Sequence, residues 1–228
     1  MSVCAIIAAA GCGNRIGGSI CKQFIEIKKK PIIVHTLEKF RQSELIDSIV
    51  IVVPKEWYRY ATVDLIEKYN ISKVEHVVIG GATRQESVYN ALRALNEDVS
   101  TVVIHDAVRP LISLDLLNEV INKGIATGAA VLAVPVHDTL KKVSGNIIAH
   151  TLNRDSVWLV QTPQVFKKEL IFNAYQQAFF NCITATDDSE LIEYLGHPIH
   201  VVAGSRANIK ITTQEDLELA EILIQETY

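Results

Sequence analysis

Short apolar runs alternate along the chain with longer stretches that carry helical spacing. Residues 3–9, 48–53, 74–79, 101–105 and 129–136 have the length and β-branched content of buried strands. Between them, residues 31–40, 57–69, 84–95 and 114–127 repeat their apolar positions at helix period. Pro31 suits a first helical turn, and Ser113 is placed to cap the helix that follows it. Alternation of this kind predicts an α/β fold, a Rossmann-like, mostly parallel sheet with helices on both faces. In such sheets ligands bind beyond the carboxyl ends of the strands. The residues just after each strand are therefore the ones that bear on function.

The rhythm breaks between His137 and Trp158. This polar segment carries Val143, Ile147 and Ile148 around Ser144-Gly145-Asn146 and has no helix-length apolar face. It reads as a protruding β-hairpin arm turning at Gly145. Helical patterns return at 167–180 and 187–195, with Asp187 and Asp188 as N-terminal residues favoured by the helix dipole. A strand at 199–202, a short strand near 209–211 and a closing helix from Gln214 complete the pattern. With no internal repeat and no low-complexity linker, residues 1–228 read as a single domain, with the arm at about 137–157.

Composition removes several classes of function. The 228 residues are 49% hydrophobic and 21% charged, with a formal net charge of −4. No global basic field would draw such a chain onto nucleic acid or an anionic membrane. The longest apolar runs are too short to span a bilayer, and the N-terminus enters a strand pattern without a signal sequence. A cytoplasmic protein is expected. Cys4, Cys12, Cys21 and Cys182 show no metal-ligand spacing and read as reduced thiols; the histidines include no HExxH-type pair.

The loop after the first strand, Ala8-Ala9-Ala10-Gly11-Cys12-Gly13-Asn14-Arg15, lets backbone N–H groups approach a phosphate chain closely. Neither Gly11 nor Gly13 is followed by the Gly-Lys-Ser/Thr of a P-loop. The second strand ends in Val53-Pro54-Lys55, without the acid that a dinucleotide site uses to hold a ribose. That weakens an oxidoreductase reading. Arg15 and Lys22 flank Gly17-Gly18-Ser19, and such preplaced cations offset the charge that gathers when two phosphate-bearing molecules react. The alternative is a tight turn with two solvated cations.

Several motifs together resemble one family. AAAGCGNR at 8–15 and KQF at 22–24 open the match, followed by GGATRQESV at 80–88, HDAVRP at 105–110 and PVHDTLK at 135–141. QTPQVF at 161–166, TDD at 186–188 and NIKITTQEDL at 208–217 complete it in order. The chain is similar to the 2-C-methyl-D-erythritol 4-phosphate cytidylyltransferases over nearly its whole length. It departs from the usual family pattern at Cys21, where a proline normally precedes the Lys-Gln pair, and at Ala82, where many relatives are polar.

The resemblance implies transfer of a cytidylyl group from CTP to 2-C-methyl-D-erythritol 4-phosphate, with release of pyrophosphate, in non-mevalonate isoprenoid biosynthesis. It implies that Arg15 and Lys22 stabilise charge at the α-phosphate, and that Ala9, Ala10, Gly11 and Gly13 hold the nucleotide through their backbone. Gly81, Ala82 and Ser87 would read cytosine. Asp106 would support the ribose and lie near the magnesium ion, which travels mainly on the CTP phosphates, with Arg109 near the acceptor. Thr139, Arg154 and Lys210 would grip and aim the attacking phosphate. Family members form homodimers through the arm, so Thr139 and Arg154 would serve the partner subunit's site. Lys210, between Ile209 and Ile211, would point away from both. Arg84 opens a helix, where it either touches phosphate or caps structure. The nearest alternative is a ribitol-5-phosphate cytidylyltransferase, from which DTLK at 138–141 and TLNRDSVW at 151–158 argue away. From another class, a non-catalytic nucleotide-binding module would bind CTP without releasing pyrophosphate.

Overall fold

The computed structural model describes residues 2–11 and 20–224. The chain begins with β1 (Ser2–Ala8), a small hairpin of β2 (Glu26–Ile27) and β3 (Lys30–Pro31), and α1 (Ile32–Gln42). Next come β4 (Ser48–Val53), a helical passage ending in α2 (Ile66–Lys68), β5 (Val74–Ile79), α3 (Arg84–Arg93) and β6 (Val99–Asp106). The second half holds α4 (Leu114–Thr127), β7 (Ala129–Pro135), β8 (Leu140–Ser144), β9 (Ile147–Leu152), β10 (Trp158–Lys167), α5 (Lys168–Phe180), α6 (Asp188–Tyr194), β11 (His200–Ala203) and α7 (Gln214–Leu223).

A seven-stranded sheet in the order β11-β7-β10-β6-β1-β4-β5 forms the centre. β1 runs parallel to β4 and β6, β4 to β5, and β7 to β11, while β10 is antiparallel to both its neighbours. The two-residue period of a strand divides its side chains between two cores. Val3, Ala5 and Ile7 of β1 join α1 and α4 in one. Cys4 and Ile6 join α3, α5 and α6 in the other. Burial on both faces explains why these strands read as unbroken apolar runs.

Caps fix where the helices start. The side chains of Thr83, Ser113, Asp187 and Thr213 accept backbone N–H groups of Glu86, Leu116, Glu190 and Asp216. Each such cap contributes about 1 kcal/mol. Gly128, at φ 90°, closes α4 in a left-handed conformation that residues with a Cβ adopt reluctantly.

Four expectations need correcting. β10 went unrecognised, because it starts at Trp158, where the segment read as the arm ends, and its inner stretch, Gln161-Thr162-Pro163-Gln164, looks too polar for a central strand. The strand expected near 209–211 is absent: Ile211 N–H donates to Val108 O and Ile211 is buried, but no ladder forms. Finally, Cys21 is disulfide-bonded, whereas Cys4 and Cys182 are free. The helix expected at 57–69 is also uneven, running from a 3₁₀ turn at Lys55–Trp57 through a π-helix at Tyr60–Leu65 into α2.

The arm is as expected from its pattern. β8 and β9 pair antiparallel around Gly145, which has φ 58°. Every residue of β9 is exposed, and Val143, Ile147, Ile148 and Leu152 lie open to solvent with Trp158 and Leu159 at the arm's base. No helix among the described residues is long and apolar enough to cross a membrane.

Candidate active site

The carboxyl ends of β1 and β6 and the turn before α3 enclose a cavity of about 180 Å³. Ala8, Ala9, Ala10 and Gly11 form one wall, Gly81, Ala82, Thr83, Arg84 and Ser87 a second, and Lys22, Asp106 and Lys210 bring charge to it. Close backbone packing shapes the second wall. A Cβ at Gly80 would run into Ala10 and Ser87, and one at Gly81 into Glu86. Gly81 N–H donates to Ser87 Oγ at 3.1 Å, and that hydroxyl donates to Thr83 O at 2.7 Å. Ala82 N–H donates to Glu86 Oε2 at 2.7 Å.

The KQF motif builds the support beneath Lys22. Gln23 is buried and donates its amide to Ala9 O, tying the motif to the end of β1. Phe24 stacks on Trp57 with ring centroids 4.3 Å apart and meets Tyr60 edge-on. Aromatic pairs in these geometries add roughly 1 kcal/mol beyond their buried area. Lys22 therefore projects at the cavity from a short, firmly seated 3₁₀ turn.

Asp106, the last residue of β6, is the electrostatic centre. Lys210 Nζ lies 2.8 Å from its Oδ2, Arg109 Nε 3.7 Å from the same oxygen, and Arg84 Nε 3.5 Å from Oδ1. Burial alone would push the Asp106 carboxyl up, but Arg84, then Lys210 and Arg109, hold it well below the usual carboxylate range. Arg84 in turn makes a two-pronged contact with fully buried Asp188, at 3.0 and 2.6 Å. Burial opposes the Arg84 charge, yet Asp188 and Asp106 outweigh it and raise its pKa above the ordinary value. His105, fully buried behind Asp106, is lowered to about 4, chiefly by burial, and is neutral at pH 7.

β10 organises this centre from behind. Its register shifts between Val160 and Gln164. At that irregularity Thr162 Oγ1 accepts Asp106 N–H at 3.1 Å and lies 3.1 Å from His105 Nδ1. Gln161 donates to Ser205 O at 2.8 Å, and buried Asn208 donates to Thr162 O at 2.9 Å. Arg109 Nη1 then donates to Asn208 O at 2.8 Å. The loop carrying Lys210 is thus fastened to β10 two residues before the lysine.

Of the residues singled out in the sequence, Ala9, Ala10, Gly11, Lys22, Gly81, Ala82, Ser87, Asp106 and Lys210 line the cavity, and Arg109 touches it through Asp106. Gly13 and Arg15 lie outside the described residues. Thr139 and Arg154 are exposed on the arm segment and do not line the cavity of their own chain. Sequence reasoning passed over Gln23, Thr162, Asn208 and Tyr175. It left Arg84 undecided, and it read Asp188 as a dipole-favoured helix residue although it is the buried partner of Arg84. All of these but Tyr175 sit in motifs that were visible, but pairing Arg84 with Asp188, 104 positions away, requires the folded chain.

The family model described as IspD, 2-C-methyl-D-erythritol 4-phosphate cytidylyltransferase, matches residues 3–226. The chain belongs to this family. The enzyme of that name from Pelotomaculum thermopropionicum is 45% identical over 98% of this chain and 94% of its own. That from Alkaliphilus oremlandii is 43% identical over 96% and 94%. The crystal structure of 4-diphosphocytidyl-2C-methyl-D-erythritol synthase from Anaerococcus prevotii superposes with a TM-score of 0.86 at 34% identity, covering 98% of this chain and 96% of that one. An IspD-family nucleotidyltransferase is the resulting assignment.

Proposed function

We propose that this IspD-family chain transfers the cytidylyl group of CTP to 2-C-methyl-D-erythritol 4-phosphate and releases pyrophosphate. The observation that carries the reading is the convergence of Lys22 and Lys210 on a cavity walled by the small-residue backbone at Ala8–Gly11 and Gly81–Ala82. Such a wall admits a triphosphate and a small base, while the ammonium groups offset the repulsion between two phosphate-bearing reactants.

In the reaction an acceptor phosphate oxygen attacks the α-phosphorus in line. The bond from that phosphorus to the β-phosphate bridging oxygen breaks, and its electron pair leaves with pyrophosphate. A phosphate dianion needs no general base, and buried, neutral His105 serves as scaffold. Lys22 and Arg15 stabilise the charge gathered at the α-phosphate; Lys210, aimed by Asp106, and Arg109 face the acceptor side. Gly81, Ala82 and Ser87 read the cytosine. Catalysis then consists of positioning and charge stabilisation.

We further propose a divalent cation, magnesium by preference. Among the described residues no three His, Cys, Asp or Glu side chains group as metal ligands, and both oxygens of Asp106 already face cations. These residues suit an ion carried by the triphosphate rather than a cage built by the protein. When bound, that ion offsets charge on the nucleotide. The exposed apolar arm suits a homodimer in which Thr139 and Arg154 complete the partner subunit's cavity, and the chain is proposed to act in the cytoplasm.

Pyrophosphate release from CTP tests the reading. Turnover with 2-C-methyl-D-erythritol 4-phosphate exceeding that with ribitol 5-phosphate is expected. Faster release with ribitol 5-phosphate, or CTP binding without release, overturns it.

A further inference from the structure

Five separate segments contribute to one continuous line of contacts behind the cavity. Tyr175 of α5 donates its hydroxyl to Asp188 Oδ1 at the start of α6. Asp188 receives both terminal nitrogens of Arg84, the first residue of α3. Arg84 Nε reaches Asp106 Oδ1 at the end of β6, and Asp106 Oδ2 holds Lys210 Nζ in the loop after β11. We infer that Arg84, locked by Asp188 and Tyr175, is a positioning residue that fixes Asp106 and through it aims the ammonium of Lys210. This inference rests on the cytidylyl-transfer reading of the same cavity.

Three features of the geometry set this role apart from its alternatives. A guanidinium meant to grip a phosphate presents its two-pronged edge to the ligand. Here that edge is taken by a carboxylate with 0% side-chain exposure, which leaves Nε for Asp106. A cation meant only for stability has no reason to lie at a cavity wall, yet Arg84 is part of that wall. And Asp106 is held on both oxygens, so its carboxylate plane is set before any ligand arrives. Lys210, 40% exposed, is the freer partner, and Asp106 restrains the ammonium at the end of its flexible stem.

The role predicts how Arg84 variants combine with others. Arg84→Lys keeps a charge but loses the fork. Arg84→Met with Asp188→Asn removes both charges together, so neither is left buried and unpaired. Both should lower kcat by ~10-fold or more while the CTP dissociation constant, read by calorimetry, changes by less than ~3-fold. In a Lys210→Ala background the further loss from Arg84→Lys should shrink to less than ~2-fold, because the residue through which it acts is gone.

A second measurement does not depend on turnover. Reductive methylation of the full-length chain, followed by mass spectrometry, should modify Lys210 several-fold faster in the double variant than in the wild type. Additive losses with Lys210→Ala, or equal methylation rates at Lys210, overturn the inference and leave the cytidylyl-transfer reading intact. A wild-type chain that releases no pyrophosphate from CTP overturns that reading instead, and the methylation rates still decide whether Arg84 governs Lys210.

Discussion

The cavity floor and the arm hold charge and apolar surface in opposite ways. On the floor, buried Asp106 and Asp188 pair with half-buried Arg84 and with Lys210, all within one chain. On the arm, Ile147 is 77% exposed and Ile148 60%, while Arg154 stands in solvent. An ionic centre that finds all its partners in cis is fixed as soon as the chain folds. An apolar ribbon without a cover is stable only if something else meets it, since soluble proteins rarely leave contiguous apolar surface open. Under the proposed dimer, the floor is preassembled while the arm residues Thr139 and Arg154 wait for a second subunit.

Removing a floor cation should have the largest effect. Lys22→Ala is expected to lower kcat by ~100- to 1000-fold, with CTP affinity much less affected, because the ammonium acts on charge that develops in the transition state. Steady-state rates alongside calorimetric CTP binding check this. A comparable loss in binding would show that Lys22 holds the ground state, and the floor would then be a docking site rather than a preorganised one.

The floor should also carry the molecule's acid sensitivity. His105 is held near 4 by burial, against an ordinary value of 6.5, so the folded chain resists a proton that the unfolded chain accepts. Its contribution is complete above pH 6.5 and is lost as pH falls toward 4, by about 3 kcal/mol in all. Urea unfolding at pH 7 and pH 4.5 should show that fall, and His105→Gln should flatten it. Equal pH slopes in the two proteins would mean that the floor does not control stability there.

Disrupting the arm should act through assembly. Ile147→Asp with Ile148→Asp places charges where apolar side chains now stand open, and the proposed dimer should give way to a monomer by sedimentation. Acceptor turnover should drop by ~30-fold, on the scale of losing a positioned phosphate clamp, while CTP affinity stays within a few-fold. A sedimentation pattern indifferent to these changes would remove the arm from the proposed interface.

What could be read from sequence follows the same division. β1, β4, β6 and β7 announced themselves because burial on both faces makes a continuous apolar run. The arm was legible by its break in rhythm, with Gly145 at the turn. β10 escaped because its polar stretch Gln161–Gln164 serves Asp106 and the 204–211 loop instead of the core, so function erased the pattern that marks a strand. Lys210 was placed in a strand by Ile209 and Ile211, yet Ile211 is buried through a single backbone bond to Val108. Lys22, Asp106 and Lys210, named by motif, line the cavity, but the partners that orient them did not show, because Asp188 and Tyr175 are recognised only by proximity across distant segments.

Arg154 separates the two regions most finely. It lies 48 positions from Asp106, exposed on the arm segment, and is not among the described residues that line the cavity. If it serves the partner's acceptor phosphate, Arg154→Ala should raise the acceptor KM by ~10-fold and leave CTP affinity and floor stability unchanged, as loss of a single charge-assisted phosphate contact predicts. Mixing Arg154→Ala subunits with Lys22→Ala subunits sharpens the point. A mixed dimer carries one cavity that lacks both groups and one that has both, so at acceptor concentrations well below KM activity should return to about a quarter of wild type at equal mixing. Were Arg154 to act on its own chain's cavity, each cavity would lack one of the two groups and mixing would restore nothing.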